Sequence, residues 1–252
     1  MLLAEAAALP VAGWDLASLG RRIAIEPPPW DFDGLVVSEV RRSPRMLDID
    51  TGGGEWLASL PVRSPLTVAT EDWPPNVDVA RERLRPLGVE VLAAEAVPDN
   101  VEQGGGEPSL PFEGRSFELV TARHAAYVPR EVARVLAGGG VFLTQQVGGD
   151  YGDFEDALGV PRTSRARWDL ELATAQLARV GLECVDGGEG AETTSFADVG
   201  AFAWYLRMIP WTVDGFSVGR HRCALQRLHR RIADEGALRV RLPAFWARAV
   251  KR

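Results

Sequence analysis

The chain carries RMLDIDTGGGEWL at residues 45–57, where an apolar strand breaks into a glycine turn and a helix follows. Residues 46–49 supply the strand. The glycines at 52–54 lack a Cβ, so the turn can take positive φ values and a ligand can approach its backbone. The helix that opens at Glu55 would direct its free N–H groups toward the turn. This arrangement predicts a site for a nucleotide-like ligand, although a glycine triplet alone is equally compatible with an ordinary flexible turn.

Composition excludes several classes of protein. The 252 residues suffice for one large domain, and 46% hydrophobic with 25% charged residues is an ordinary globular balance. A formal net charge of −7 argues against a broad nucleic-acid surface, which needs a basic footprint, but leaves room for a local basic patch. The two cysteines form neither a disulfide framework nor a metal-ligand spacing, so no metal is predicted. Without a basic leader or a membrane-length apolar window, the sequence predicts a cytoplasmic protein with no membrane partner.

Downstream of the glycine turn, strand and helix patterns alternate. An apolar run at 65–70 that ends in Glu71 predicts a second strand, and an amphipathic helix with Asn76 at its N-cap follows. Further strands are predicted at 89–94, up to about 122, at 141–147, from 182 and at 244–250, with helices at 129–137 and 168–180, a polar loop at 98–109 and a largely helical stretch at 196–232. The glycines at 138–140 are expected to end a helix. This β-α order predicts a parallel sheet with helices on both faces.

Ligands of such sheets bind beyond the carboxyl ends of the strands. Residues predicted at that edge are the glycines at 52–54, Glu71, Glu95, Arg123, His124, Gln145 and Gln146. Glu71 ends the second strand, where a carboxylate can hold a ribose diol through two hydrogen bonds; the alternative is a solvated strand-end carboxylate. Glu95 stands where a carboxylate could accept a hydrogen bond from an adenine amino group.

Three segments resemble the motifs of class I S-adenosylmethionine-dependent methyltransferases. LDIDTGGG at 47–54 is similar to the first motif, hydrophobic-Asp-x-Gly-x-Gly-x-Gly. LPF at 110–112 with SFELV at 116–120 looks like the family's LPF…SFDLV segment, and EVARVL at 131–136, followed by glycines and VFL, looks like EVARVLKPGGxF. The order and spacing of the three agree with the family. The sequence departs from the pattern at Asp50, where the family usually has its first glycine.

The resemblance implies an α/β, Rossmann-like class I methyltransferase fold: a seven-stranded, mostly parallel sheet flanked by helices, with helical additions at the N-terminus and between the last strands. It implies one methyltransferase domain over residues 1–252. Within that domain we expect an N-terminal helical arm at 1–45, a cofactor-binding core at 46–150 and a helical cover insertion at 196–232.

The resemblance also implies S-adenosyl-L-methionine as cofactor and assigns roles to the edge residues. The predicted cofactor-binding residues are Asp48, Asp50, Thr51, Gly52 and Gly54 at the methionine part, Glu71 at the ribose, Glu95 and Ala96 at the adenine, and Arg123 near the transferable methyl group. His124 is the predicted catalytic base, because it lies at this edge and an ordinary imidazole titrates near neutral pH. The alternative is a structural histidine bonded to the backbone. Tyr127, Gln145 and Gln146 are candidates for orienting the substrate.

These expectations combine into methyl transfer to a small-molecule acceptor by in-line displacement at the sulfonium methyl. The tryptophans and phenylalanines of segments 1–45 and 196–232 suit an apolar pocket for such an acceptor. One alternative is an RNA base methyltransferase that uses the arginine-rich segment 220–231, although the net charge of −7 argues against a nucleic-acid partner. Another is a non-catalytic protein of the same fold that binds the cofactor weakly or not at all, because Asp50 stands where the family usually has its first glycine. The sequence specifies neither the acceptor, nor the methylated atom, nor the oligomeric state.

Overall fold

The computed structural model describes residues 1–9, 16–97, 100 and 109–252. The chain divides into two compact units. The larger unit comprises Trp30–Gly148, Arg167–Gly190 and Ala244–Arg252, and the smaller unit comprises Met1–Pro29, Gly149–Ala166 and Ala191–Pro243. The single domain with its arm, core and cover stays a prediction. Most of the polar loop predicted at 98–109 lies outside the described residues, and no described helix is long and apolar enough to cross a membrane.

Helices and strands alternate through much of the chain. In order they are α1 (Leu2–Ala8), β1 (Ile23–Glu26), α2 (Phe32–Val40), β2 (Arg45–Ile49), α3 (Glu55–Ser59), β3 (Leu66–Glu71), α4 (Pro74–Leu84), β4 (Glu90–Ala93), β5 (Phe117–Arg123), α5 (Pro129–Val135), β6 (Leu136–Val147), α6 (Gly152–Leu158), α7 (Leu170–Arg179), β7 (Leu182–Phe196), α8 (Val199–Met208), α9 (Arg222–Glu235) and β8 (Leu238–Lys251). Short 3-10 segments lie at Leu16–Arg22 and Arg85–Leu87.

The described residues form a sheet of eight strands in the order β1-β7-β8-β6-β5-β2-β3-β4. Strands β2 to β6 pair in parallel, whereas β8 runs antiparallel to β6 and β1 antiparallel to β7. The predicted α/β class with a mostly parallel sheet is therefore confirmed. The strand count of seven is wrong for the described residues, because Ile23–Glu26 forms an additional edge strand inside a segment that was expected to be helical.

Both faces of the sheet in the larger unit are covered by helices, and residue alternation along the strands explains this. Leu47, Val120 and Phe142 pack with α5 and α7, whereas their neighbours Met46 and Leu119 pack with α2, α3 and α4. Successive side chains of a strand point to opposite faces, so a strand apolar at every position must be covered on both. This accounts for the continuous apolar runs in the sequence.

Two predicted boundaries are wrong for local reasons. α4 begins at Pro74 with Trp73 as its N-cap rather than Asn76, because proline has no N–H to satisfy and suits the first helical turn. The glycines at 138–140 do not end a helix but lie within β6. There Phe117 is paired with Leu136 and Leu119 with Val141, so the glycines occupy an irregularity in the β5–β6 register.

The smaller unit has an aromatic core of its own. Phe154 stacks on Phe202 and Tyr205, with ring centroids 5.9 and 6.0 Å apart, and Phe196 meets the edges of the same two rings. Helix α6, which carries Phe154, was not predicted from the sequence. Helix α9 begins at Arg222, five residues later than predicted from Ser217.

Candidate functional site

The glycine turn between β2 and α3 is a tight left-handed turn. Three of its residues have positive φ: Asp50 at 54°, Gly52 at 64° and Gly54 at 78°. Aspartate is one of the few residues besides glycine and asparagine that tolerate this region. Asp50 therefore holds a backbone conformation that is usual for glycine, and the departure from the family motif leaves the turn left-handed.

Hydrogen bonds from neighbouring elements fix the turn. The Thr51 N–H donates to the Thr70 carbonyl at 2.9 Å, which ties the turn to the end of β3. From α4, the Arg83 guanidinium donates to the Gly53 carbonyl and, at 2.5 Å, to the Glu55 carboxylate. The turn is thus held from both sides.

Glu71, predicted to bind a ribose, is also part of this framework. Its carboxylate accepts a hydrogen bond from the Gly52 N–H at 2.7 Å and another from the Trp73 N–H at 3.1 Å, and the residue is only 2% exposed. Each carboxylate oxygen can accept two hydrogen bonds, so the two backbone bonds leave acceptor capacity, which a ligand would share with the neighbouring Asp50 carboxyl. Gly52 and Glu71, which are distant in sequence, are therefore brought together as predicted.

Three carboxylates crowd this end of β3. One oxygen from each of Asp50, Glu71 and Asp72 lies within 4.8 Å of the others. Burial raises the pKa of the Glu71 and Asp72 carboxyl groups, and the neighbouring Asp50 charge raises both further. Asp72 was missed in the sequence, since only its neighbour Glu71 matched a known role. A cluster of acids alone does not define a metal site.

Asp48 lies at the end of β2 and is 1% exposed. It accepts a hydrogen bond from the Thr121 hydroxyl of β5 at 2.6 Å. Burial raises the pKa of Asp48 to about 6, although the Thr121 hydrogen bond opposes the rise. Thr121 is a partner that the sequence analysis did not identify, because a threonine inside a strand has no distinguishing pattern.

Glu95 and Ala96 follow β4 and are exposed. Beside them is a small cavity with free space of about 20 Å³, about enough for one water molecule. It is lined by Ile49, Ala94, Glu95, Val97, Ser109, Leu110, Tyr127, Val128 and Glu131. Glu95 therefore lies at the edge of a recess at the carboxyl end of β2, but the role predicted for Glu95 and Ala96 toward an adenine stays a prediction.

Arg123 and His124 end β5 and lie beside the end of β6. The Arg123 guanidinium carbon is 5.7 Å from the centre of the Trp56 ring, at the start of α3. His124 has a positive φ of 57°, and its N–H donates to the Gln145 carbonyl at 2.7 Å. Dense surrounding protein and the adjacent Arg123 charge lower the pKa of the His124 imidazole, although the residue still lies open to solvent. The role of His124 as a catalytic base stays a prediction.

The side chain of Gln145 connects His124 to Trp30. Gln145 is 4% exposed; its Nε2 lies 3.1 Å from His124 Nε2, and its Oε1 accepts a hydrogen bond from Trp30 Nε1–H at 2.7 Å. The other two candidates for orienting a substrate are in the interior. The Tyr127 ring packs against Phe142, and the Gln146 amide donates to the Ala125 carbonyl.

No protein-family model matches the chain. It is 33% identical over 119 residues to the "uncharacterized methyltransferase YcgJ" of Bacillus subtilis, a match that covers 44% of this chain and 44% of that relative. The chain thus spans less than half the length of the curated relative it matches. Its fold is similar to the crystal structure of the YcgJ protein, with a TM-score of 0.56 at 19% identity over 88% of this chain and 98% of that one.

A candidate methyltransferase from Bacillus halodurans has a similar fold, with a TM-score of 0.54 at 19% identity over 82% of this chain and 92% of the other. At these identities the structural likeness concerns the fold, whereas the segment shared with YcgJ adds a relation in sequence. The segment shared with YcgJ and the similar fold are therefore the two respects in which this chain resembles methyltransferases.

Proposed function

We propose that the chain transfers the methyl group of S-adenosyl-L-methionine to a small-molecule acceptor. The observation that carries the proposal is the pair of buried carboxylates, Asp48 and Glu71, on either side of a left-handed glycine turn at the carboxyl ends of β2 and β3. The raised pKa values of these two carboxyl groups show that their ionised forms are disfavoured in the free protein, and a cationic ligand bound beside them would favour ionisation.

The donor set of this edge fits such a cofactor. Glu71 keeps acceptor capacity for the two ribose hydroxyls, and the Asp48 side suits the cationic methionine part. A dinucleotide would instead bring a pyrophosphate, which three carboxylates from Asp50, Glu71 and Asp72 would repel. When bound, the cofactor supplies a methyl group on a positive sulfonium; the protein's part is to hold the two reactants in line.

A calorimetric titration of the full chain with S-adenosyl-L-methionine tests cofactor binding. Glu71→Gln should weaken the affinity by roughly tenfold or more, because it replaces one acceptor oxygen by an NH₂ donor and so removes a hydrogen bond to a ribose hydroxyl. Glu90→Gln is the matched control: it removes the same charge from an exposed residue at the opposite end of β4. The absence of heat at millimolar cofactor would refute methyl transfer to any acceptor and leave a non-catalytic member of the fold.

The acceptor can be identified by incubating a cell extract with the enzyme and labelled cofactor, followed by mass spectrometry. The small-molecule proposal expects label in the low-mass fraction. Label that enters only the RNA fraction, or none at all despite cofactor binding, would contradict it.

An RNA acceptor is the second candidate, and one observation favours it. The segment 215–233 contains no acidic residue, and its arginines Arg222, Arg227, Arg230 and Arg231 are exposed on α9. Arg231 pairs with Glu235, which partly neutralises this face. If RNA is the acceptor, retention on an RNA column should fade steeply with added salt and should weaken in a paired Arg227→Gln and Arg230→Gln variant. Retention that is absent at low salt would exclude this candidate.

A further inference from the structure

Trp30, Gln145 and His124 form a chain of hydrogen bonds whose direction is set by its first member. An indole Nε1–H can only donate. Because it donates to Gln145 Oε1 at 2.7 Å, the orientation of the Gln145 amide is fixed, with the oxygen toward Trp30 and the NH₂ group toward His124. The usual ambiguity of a glutamine amide therefore does not arise here.

The amide orientation in turn fixes the imidazole. Gln145 Nε2 carries only hydrogens to offer, so at 3.1 Å it must donate to His124 Nε2, and that nitrogen must be the unprotonated acceptor. A neutral imidazole with an acceptor at Nε2 carries its proton on Nδ1. The burial of Gln145 and the His124 N–H bond to the Gln145 carbonyl hold the two side chains in this relation.

We propose that Trp30 and Gln145 are positioning residues that hold His124 as the neutral Nδ1–H tautomer, so that His124 donates a hydrogen bond to an oxygen of the methyl acceptor rather than removing a proton with Nε2. Its role toward an acceptor rests on the proposed methyl transfer; the tautomer does not. The lone pair that a base would need is occupied by the Gln145 amide. The acceptor thus has a carboxylate, carbonyl or oxyanion oxygen beside the atom that is methylated.

Nitrogen-15 NMR of the full chain reads the tautomer directly. The sequence has three histidines, and His221 and His229 serve as internal references. For His124 we expect a protonated Nδ1 and an unprotonated Nε2. Gln145→Glu replaces the donating NH₂ by an acceptor and should move a proton onto Nε2. A wild-type His124 protonated on Nε2 would overturn the proposal.

Because Gln145→Glu buries a charge, which can prevent folding, Trp30→Phe provides a second arm. Loss of the indole donor frees the amide to rotate, so both His124 tautomers should be observed. Trp211→Phe is the matched control, because it makes the same change at a tryptophan that is 53% exposed in the smaller unit, and it should leave His124 as in the wild type. A folded Trp30→Phe protein with an unchanged His124 tautomer would contradict the proposal that Trp30 fixes the tautomer through Gln145.

The role toward the acceptor is tested with a matched pair, His124→Asn and His124→Asp, both compatible with the positive φ. The probe is label transfer from S-adenosyl-L-methionine into the extract fraction. Asparagine keeps an N–H near the Nδ1 position, so His124→Asn should reduce label transfer by less than about tenfold. His124→Asp has no such N–H and should reduce label transfer more. A general base would give the reverse, with asparagine losing roughly 100-fold or more. If calorimetry shows no binding of the cofactor while NMR shows the expected tautomer, the proposed function fails, but the role of Trp30 and Gln145 in setting the His124 tautomer is upheld.

Discussion

Asp48 illustrates how a single buried carboxylate can report on its ligand. Its pKa of about 6 in the free protein means that it holds a proton through part of the accessible pH range. A cation bound nearby favours the ionised form and lowers the pKa, so binding must expel that proton. In the proposed methyl transfer, Asp48 would therefore couple cofactor affinity to pH.

We expect the wild-type protein to release more protons than Asp48→Asn when it binds S-adenosyl-L-methionine near pH 6, and the two to release similar numbers at pH 8, where Asp48 is already ionised. Affinity should fall by up to about tenfold between pH 8 and pH 5. The measurement is calorimetry in two buffers with different ionisation enthalpies. Asp48→Asn should release fewer protons at pH 6. An identical proton count in wild type and a folded Asp48→Asn protein would contradict this assignment.

At the scale of elements, the β2–α3 turn depends on α4 behind it. A Cβ built on Gly54 would lie 2.9 Å from the Leu84 side chain, and the φ of 78° would strain an alanine. Gly88, after α4, has a similar φ of 73° but open space around it. The two glycines thus separate backbone strain from steric conflict.

Gly88→Ala should cost about 1 kcal/mol of unfolding free energy, from backbone strain alone. Gly54→Ala should cost roughly 2–4 kcal/mol, because Leu84 must also move in a packed core. Denaturant unfolding of both variants gives the comparison. Equal costs would mean that Leu84 yields without penalty, and that the turn is less constrained than its contacts indicate.

The sequence predicted best those elements that have a clear pattern of apolar residues. Strands β2, β3 and β5 lie where their apolar runs indicated, and Glu71 meets the glycine turn as expected for a carboxylate at a strand end. The short edge strand β1 has only four residues, with three of them exposed, so no buried stripe marked it. The Trp30–Gln145–His124 chain joins residues far apart in sequence, and no local pattern encodes such a contact.

For the whole molecule, the crowded carboxylates bear on stability. Glu71 and Asp72 have raised pKa values in the folded protein, so they favour folding below their unfolded values near 4 and disfavour it as the pH rises through the raised values. Other groups, such as Glu118 beside Arg45, have lowered pKa values and act in the opposite sense. The contribution of the crowded carboxylates can be separated from the others by comparing the wild type with a variant of Asp50.

Asp50→Asn keeps a residue that tolerates the left-handed conformation and removes the like charge. It should stabilise the protein by about 1 kcal/mol at pH 8 and by less at pH 5, since the repulsion matters only when the neighbouring acids are ionised. Denaturant unfolding at both pH values measures this. Asp78→Asn, with a side chain 91% exposed, is the control and should show little change. A gain that is equal at the two pH values would contradict the electrostatic origin.

The left-handed backbone at Asp50 also bears on how this turn can vary among related proteins. The turn requires a positive φ at position 50, and glycine is the residue that adopts a positive φ most readily. Asparagine and aspartate adopt it too, at the expense of adding a side chain, and in this chain a charge, beside the ligand edge. A motif written in terms of backbone conformation would therefore recognise relatives that a motif written in glycines passes over, and the residue found there would report how much negative charge each of them brings to the edge.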